Sequence, residues 1–157
     1  YEIAIEEGIK FFVYGNLDYV LKKSGYDSKF RTGHYDGKGR IGEWILAQNP
    51  ANERVMGAAV FTTGPYMEMA FSPMTPMTPA IEDGVLTWRT PLGEGAVAHV
   101  ALEDCAYYVR WLFDNPERAN GMNLEVAIEP VRYADLAAAF TQVTGHPAQY
   151  LDTALEQ

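Results

Sequence analysis

Three side chains that can hold or transfer a proton lie close together in the sequence: His34, Tyr35 and Lys38. In a helix, residues four apart lie on one face, about one turn apart. A tyrosine four residues before a lysine allows the ammonium to stabilise the tyrosinate and hold a sugar hydroxyl, while the phenol passes a proton to a carbonyl group. Here it is His34 that precedes Lys38 by four residues. The usual Tyr–Lys spacing is therefore absent.

Two interpretations of this cluster follow. His34 can donate a proton, because the unperturbed pKa of histidine is about 6.5, and Lys38 can bind a sugar or a phosphate group. Alternatively, His34 is an ordinary loop residue and Lys38 is a solvated surface charge.

The same region contains a glycine pattern, G-x-G-x-x-G, over residues 37–42. Such a pattern binds a pyrophosphate when it follows a buried strand and opens a helix, because its backbone N–H groups then face the phosphates. The residues before Gly37 are polar and do not resemble a strand. The alternative is that the small residues let a helix lie close to a neighbouring element or to a ligand, and the context favours that alternative.

Metal ligation and nucleophilic catalysis receive little support. The histidines His34, His99 and His146 have no metal-type spacing to each other or to Cys105. We expect Cys105 to be a core residue on the apolar face of a helix rather than a nucleophile. The Met and aromatic residues within 66–77 either form an apolar pocket wall or cover the edge of a core.

The composition limits the classes of partner. The chain has 157 residues, with Lys+Arg 12 and Asp+Glu 21, a formal charge of -9 and a pI near 4.7. A cationic face for nucleic acid is therefore not expected. No apolar run approaches the roughly 20 residues of a membrane helix, and the start lacks signal-peptide features. A single cysteine fits a reducing compartment. We expect a soluble protein in the cytoplasm, with the nucleus as an alternative, and no membrane partner.

Hydrophobic periodicity predicts the elements that must position these side chains. A first helix ends at Gly8, and a buried strand over 9–14 is expected to end in a turn at Gly15-Asn16. A helix over 36–48 presents Ile41, Trp44, Ile45 and Gln48 on one face, and Asn49-Pro50 is expected to end it. Further strands are predicted at 55–61, 85–89, 96–101 and 124–128, and further helices at 18–23, 103–114 and 133–144.

The alternation of helices with buried strands predicts an α/β fold with a parallel sheet. The stretch 72–79 carries three prolines and predicts an extended loop or lid. We divide the chain at this point.

The sequence resembles the NmrA-like family, an atypical branch of the short-chain dehydrogenase/reductases, and its fungal members most closely. The resemblance rests on residues 12–17 (FVYGNL), 33–39 (GHYDGKG), 63–66 (TGPY), 104–109 (DCAYYV), 111–118 (WLFDNPER) and 144–147 (TGHP). It implies the C-terminal part of a Rossmann-like parallel sheet plus a small α/β lobe. Residues 1–71 would be the C-terminal half of a dinucleotide-binding domain, and 72–157 a substrate or partner lobe with the Pro/Met-rich lid.

The resemblance also implies a dinucleotide, NADP(H) first and NAD(H) as the alternative, with no metal. Lys38 falls where the family keeps the lysine that contacts the nicotinamide ribose, and His34 falls where active reductases carry tyrosine. Gly15 and Asn16 fall where those reductases carry serine. The residues expected to contact the cofactor are Gly15, Asn16, Lys38, Pro65, Tyr66, Met67 and Glu68, and the candidate catalytic residues are His34 and Tyr35.

Many relatives with this pattern are regarded as redox-sensing regulators, so a sensor that reports to a protein partner, such as a transcription regulator, is the first expectation. The alternatives are an NAD(P)H-dependent oxidoreductase for a small carbonyl, imine or quinone, and a non-enzymatic interaction module without cofactor. In comparison with the family pattern, the N-terminal half-sheet and its phosphate loop are missing, so we expect the chain to be a fragment. An exposed sheet edge would then need a partner or a homo-oligomer to cover it.

Overall fold

The computed structural model describes residues 1–154, and its internal contacts divide the chain into two units. Unit 1 comprises Tyr1–Thr63 and Glu103–Val126, and unit 2 comprises Gly64–Leu102 and Ala127–Gln157. The last three residues of the predicted lobe 72–157 lie outside the described part. The predicted division has a single boundary, between residues 71 and 72. In the structure the segment Glu103–Val126 also belongs to unit 1, where it adds a strand to the sheet.

Unit 1 contains a three-stranded parallel sheet in the order β1-β2-β6. Its strands are β1 (Phe11–Asn16), β2 (Gly57–Thr63) and β6 (Asn123–Val126). The central strand β2 is buried along residues 58–63, which explains its nearly continuous apolar sequence. The predicted turn at Gly15-Asn16 is wrong, because β1 continues through Asn16, which pairs with Thr62. The prediction of an α/β fold with a parallel sheet is confirmed.

Helices pack on the sheet of unit 1. They are α1 (Glu2–Glu6), α2 (Val20–Lys23), α3 (Gly33–Asn52), α4 (Leu102–Asp114) and α5 (Pro116–Ala119). Gly8 ends the first helical region with φ +76°, as predicted. Neighbouring residues of β1 serve opposite faces: Phe12 meets the ring of Tyr1, whereas Phe11 meets Phe113 of α4.

The long helix α3 differs from its prediction in length and in its buried face. Helix α3 continues past Pro50 to Asn52, so the proline falls in the last turn, where little helix remains to be disrupted. Ile41 and Trp44 are 49% and 43% exposed, and of the predicted face only Ile45 is buried. The residues that α3 buries are Asp36, Gly39, Gly42, Ile45 and Asn49. Small residues rather than large ones therefore mark the side that packs.

Unit 2 has two small sheets and one helix. Strands β3 (Ala80–Glu82), β4 (Val85–Thr90) and β8 (Ala148–Asp152) form one sheet in that order, with β4 and β8 parallel. Strands β5 (Val97–His99) and β7 (Glu129–Val131) form an antiparallel pair. Helix α6 (Tyr133–Thr144) ends at Gly145, with φ +73°, as predicted. The strands β3, β7 and β8 were not predicted, and the first two are only three residues long.

The core of unit 2 forms around Trp88, Tyr133 and Ala137. The indole Nε1 of Trp88 donates to the carbonyl of Ala70 at 2.9 Å, which satisfies the polar atom of a fully buried ring. The stretch 72–79 forms turns and contains no helix or strand, as predicted. Within residues 1–154, no helix combines the length and the apolar composition that crossing a bilayer requires.

Candidate functional site

The side chain of Lys38 lies against the carboxyl-terminal half of β1. Its Nζ is 5.9 Å from the centroid of the Tyr14 ring, two residues before β1 ends. Lys38 is only partly exposed, and among residues 1–154 it forms no ion pair with a carboxylate. Lys22, Lys23 and Lys29, by contrast, each have at least one. The ammonium is therefore directed to the edge of the sheet where parallel α/β folds bind ligands.

Tyr14 is the residue near Lys38 that sequence reasoning missed. Burial raises the pKa of its phenol above the ordinary value, which makes the hydroxyl a weaker acid. Helical spacing can indicate only a tyrosine on the same helix as Lys38. The phenol of Tyr14 and the ammonium of Lys38 are brought near each other by the packing of α3 on β1. The available signal was the position of Tyr14 near the end of a predicted buried strand.

His34 and Tyr35 lie in the first turn of α3, which begins three residues earlier than predicted. His34 is exposed, and its ring meets the ring of Tyr35 edge to face, with centroids 6.0 Å apart. The next residue, Asp36, is buried, and its carboxylate accepts hydrogen bonds from the backbone N–H of Leu21 and of Thr32, each at 2.8 Å. Asp36 thereby fixes the start of α3 against α2, and with it the direction of Lys38.

Gly15 and Asn16 differ sharply in their surroundings. Gly15 is exposed, and a Cβ placed there would have no atom within 4 Å, so the backbone at this point is open to a ligand. Asn16 is 8% exposed, and its Nδ2 donates to Thr62 Oγ1 at 2.9 Å, while that hydroxyl donates to Asn123 Oδ1 at 2.7 Å. These bonds join β1, β2 and β6. The structure therefore gives Asn16 a structural contact inside the sheet.

The glycine pattern 37–42 lies within α3 and does not form a loop after a strand. A Cβ at Gly39 would lie 2.5 Å from Cβ of Tyr19, and one at Gly42 would lie 2.9 Å from Oδ1 of Asn16. The two glycines therefore allow α3 to approach its neighbours closely. The interpretation as a phosphate loop is wrong, and the alternative of close packing is confirmed.

A cavity of about 320 Å³ lies in unit 1 beside these glycines. Its lining includes Tyr19, Lys22, Lys23, Glu43 and Glu125. Lys23 pairs with Asp18 and with Glu125, and Lys22 pairs with Glu43. Because its cations are already neutralised, this cavity does not suit the phosphates of a dinucleotide.

Residues 65–68 belong to unit 2, where strand β5 and the residues after it fix their backbone. Val100 N–H donates to the carbonyl of Pro65 at 3.1 Å, and Met67 N–H donates to the carbonyl of Val100 at 2.9 Å. The carboxylate of Glu68 accepts from the N–H of Leu102 at 3.2 Å. The side chains of Tyr66 and Met67 remain exposed, at 38% and 36%. This short segment is therefore ordered, with its side chains available for contact.

His99 supports the same segment from a buried position. Its Nδ1 lies 3.2 Å from the carbonyl of Pro65 and must donate, because a carbonyl only accepts. The other nitrogen, Nε2, then accepts from the Tyr133 hydroxyl at 3.5 Å. Burial raises the pKa of Tyr133, so that hydroxyl keeps its proton. Both ring nitrogens of His99 are thus used within unit 2. In the part of the chain that the structure describes, no three His, Cys, Asp or Glu residues are grouped to hold a metal ion.

The sequence model of the NmrA-like family matches residues 2–157. The chain belongs to the NmrA-like family. Solved structures with the same fold include a variant of NmrA itself, with a TM-score of 0.73 at 15% sequence identity, which covers 92% of this chain and 43% of that one.

Two further members of this fold were solved with a dinucleotide. A short-chain dehydrogenase/reductase superfamily protein from Agrobacterium tumefaciens with bound NAD has a TM-score of 0.72 at 14% identity, and the match covers 96% of this chain and 58% of that one. NmrA, described as a negative transcriptional regulator, in complex with NADP has a TM-score of 0.70 at 14% identity, covering 92% and 44%. This NmrA-like chain spans less than two thirds of each of these structures. At such identities the likeness shows the fold alone.

The residues of this NmrA-like chain fit one end of a dinucleotide. In unit 1, the ammonium of Lys38, which has no carboxylate partner within residues 1–154, and the open backbone of Gly15 both lie near the carboxyl end of β1, where they would suit a ligand that carries hydroxyl groups. The Nδ2 of Asn16 is bonded within the sheet, whereas its buried Oδ1 has no hydrogen-bond partner among the described residues. Among residues 1–154, no glycine-rich turn joins a strand to a helix, so these residues supply no pyrophosphate cradle.

Proposed function

We propose that this NmrA-like chain takes part in binding NAD(P)(H) and acts as a redox sensor or regulator that reports the state of the dinucleotide to a protein partner. The observation that carries the proposal is the ammonium of Lys38, which faces the ring of Tyr14 near the end of β1 and, among residues 1–154, pairs with no carboxylate. The solved relatives with NAD and NADP support the choice of ligand. The proposal takes NADP(H) as the first candidate, NAD(H) as the second, and a cytoplasmic or nuclear location.

Each residue has a definite role in this proposal. Lys38 donates hydrogen bonds to the ribose hydroxyls next to the nicotinamide, and Gly15 lets the ligand approach the backbone of β1. In unit 2, residues 65–68 are proposed separately as contacts of the dinucleotide, and two hydrogen bonds with Val100 hold their backbone. When bound, the dinucleotide supplies the redox chemistry. The missing tyrosine four residues before Lys38 favours sensing over turnover, and a transcription regulator is the kind of partner that the description of NmrA suggests.

Titration of the full-length protein with NADPH and with NADP⁺ tests the proposal. We expect Lys38→Met to weaken binding at least about tenfold, because a hydrogen bond from a charged donor contributes about 1.5–3 kcal/mol. Lys29→Met is the matched control, since Lys29 is exposed and already paired with Asp27. Absence of binding to either nucleotide, or an equal effect of the two variants, contradicts the proposal.

A second candidate is an NAD(P)H-dependent oxidoreductase for a small carbonyl, imine or quinone. The observation that favours it is the approach of the Lys38 ammonium to the ring of Tyr14, a phenol and a cation that tertiary structure brings near each other. His34 and Tyr35, the donors considered from the sequence, are the rivals of Tyr14 in this role.

Oxidation of NADPH with a panel of carbonyl compounds tests this candidate. Tyr14→Phe keeps the ring under Lys38 and removes only the hydroxyl, so we expect it to abolish turnover, whereas His34→Ala and Tyr35→Phe leave it unchanged. Turnover that survives in Tyr14→Phe shows that the assigned donor is wrong. Turnover lost in His34→Ala alone assigns the role to His34.

A further inference from the structure

Three Ser/Thr-Pro dipeptides follow one another at intervals of three residues in unit 2. They are Ser72-Pro73, Thr75-Pro76 and Thr78-Pro79. The stretch 72–79 that contains them forms turns and joins no sheet. A proline after the acceptor is the feature by which one class of protein kinases, the proline-directed kinases, selects its substrates. Because this segment lies outside the sheets, it can change its conformation to fit the active site of a kinase more easily than a strand or helix can.

Each of the three hydroxyls donates a hydrogen bond to a backbone carbonyl of the same region. Ser72 Oγ donates to the carbonyl of Glu68 at 2.7 Å, Thr75 Oγ1 to that of Met69 at 2.8 Å, and Thr78 Oγ1 to that of Ser72 at 2.6 Å. Thr78 Oγ1 also accepts from the N–H of Thr75 at 2.9 Å. The turns are therefore held by the groups that a kinase would modify. Of the three residues Thr78 is exposed, whereas Ser72 and Thr75 are half-buried.

Within the described residues of unit 2, no lysine or arginine is left unpaired to neutralise an added phosphate. Residues 65–88 contain neither lysine nor arginine, and in unit 2 these residue types occur only as Arg89 and Arg132. Arg89 is paired with Glu82, and Arg132 is paired with Asp135. A phosphate without an arginine partner disrupts the structure around it instead of ordering it. The same lack of basic residues disfavours kinases that read a basic flank.

We propose that residues 72–79 are a modification site for a proline-directed protein kinase, with Thr78 as the principal acceptor. In the reaction Thr78 Oγ1 attacks the γ-phosphorus of ATP, and a new O–P bond forms while the bond from the γ-phosphorus to the β–γ bridging oxygen breaks. ADP leaves, and the hydroxyl proton passes to the catalytic base of the kinase. The product carries a dianion where a donor had faced the carbonyl of Ser72. The loss of that donor and the repulsion between the oxygens open the turns.

The acceptor assignment is tested with a purified mitogen-activated protein kinase, Mg²⁺ and ATP. Intact-mass and peptide mass spectrometry should show phosphate on Thr78 before Ser72 or Thr75. Pro79→Ala should reduce incorporation at Thr78 at least about tenfold, because it removes the feature the kinase reads, while Pro91→Ala, outside the segment, should leave it unchanged. Phosphate incorporation that is unchanged in Pro79→Ala, or that occurs only outside residues 72–79, overturns the proposal. So does a protein that resists the kinase while a peptide of residues 69–82 is phosphorylated, since the fold would then block the site.

The structural effect is tested by limited proteolysis with chymotrypsin. Phosphorylated protein should be cut next to the segment, at Phe71, about tenfold faster than unmodified protein. Thr78→Val removes the hydrogen bond without adding charge and should increase the rate much less. Equal rates for phosphorylated and unmodified protein overturn the opening of the turns. Neither experiment depends on dinucleotide binding, so the proposed function can fail while this inference stands.

Discussion

The close approach of α3 to α2 predicts that Gly39→Ala destabilises the protein. A Cβ at Gly39 would lie 2.5 Å from Cβ, 2.6 Å from Cα and 2.7 Å from N of Tyr19. Ordinary contacts between carbon atoms are about 3.5–4.0 Å, so the backbone of the neighbouring segment must move by about 1 Å. Overpacking of this kind costs about 1–3 kcal/mol, and alanine returns about 1 kcal/mol of helix propensity. The net loss expected is about 0–2 kcal/mol of the free energy of unfolding.

Gly37 is the matched control in the same helix. It is exposed, and a methyl group there would have no atom within 4 Å. Gly37→Ala should therefore gain up to about 1 kcal/mol from helix propensity alone. Urea denaturation followed by far-ultraviolet circular dichroism should separate the two variants by about 1–3 kcal/mol, the cost of overpacking. If Gly39→Ala is as stable as Gly37→Ala, the glycines do not serve close packing and the explanation of the G-x-G-x-x-G pattern is refuted.

Three further perturbations test the packing of each unit. Thr62→Val removes the hydroxyl that accepts from Asn16 and should cost about 1–3 kcal/mol, because a buried amide loses its partner; equilibrium unfolding measures the loss, and an unchanged midpoint contradicts it. Gly64→Ala places a Cβ 1.8 Å from a carbonyl oxygen of β5 and should cost about 3 kcal/mol or more, seen as a lower melting temperature. Arg89 lowers the pKa of Glu82 in the folded state, so their pairing stabilises the β3–β4 hairpin at neutral pH and is lost as the pH falls through that pKa. Glu82→Gln should remove this contribution to the pH dependence of the free energy of unfolding. An unaltered pH dependence would show that the pair does not contribute to stability.

Local patterns predicted the elements whose signals are complete within a short stretch. Helix α6 was placed correctly because an amphipathic pattern runs from Tyr133 to a glycine stop at Gly145. The central strand β2 was recognised from its continuous apolar run. The short strands β3 and β7 were missed, because three residues are too few to show alternation. Their pairing depends on partners that lie elsewhere in the chain.

The predicted buried face of α3 failed for a different reason. Periodicity selected the large apolar residues Ile41 and Trp44, yet the packing side is marked by Gly39 and Gly42. A glycine leaves no hydrophobic signal, although it permits the closest approach of two backbones. The partner of Lys38 was likewise out of reach, because Tyr14 lies on another element and no spacing rule connects the two residues.

By itself the sequence determined the fold class, the acidic character, the absence of a Tyr–Lys pair at helical spacing and the family to which the chain belongs. Tertiary structure alone decided that the ammonium of Lys38 faces Tyr14, that Asn16 is bonded inside the sheet and that Gly15 is open. The physical reason is separation along the sequence. Periodicity and turn chemistry depend on residues a few positions apart, whereas the neighbours of a functional group depend on how whole helices and strands pack.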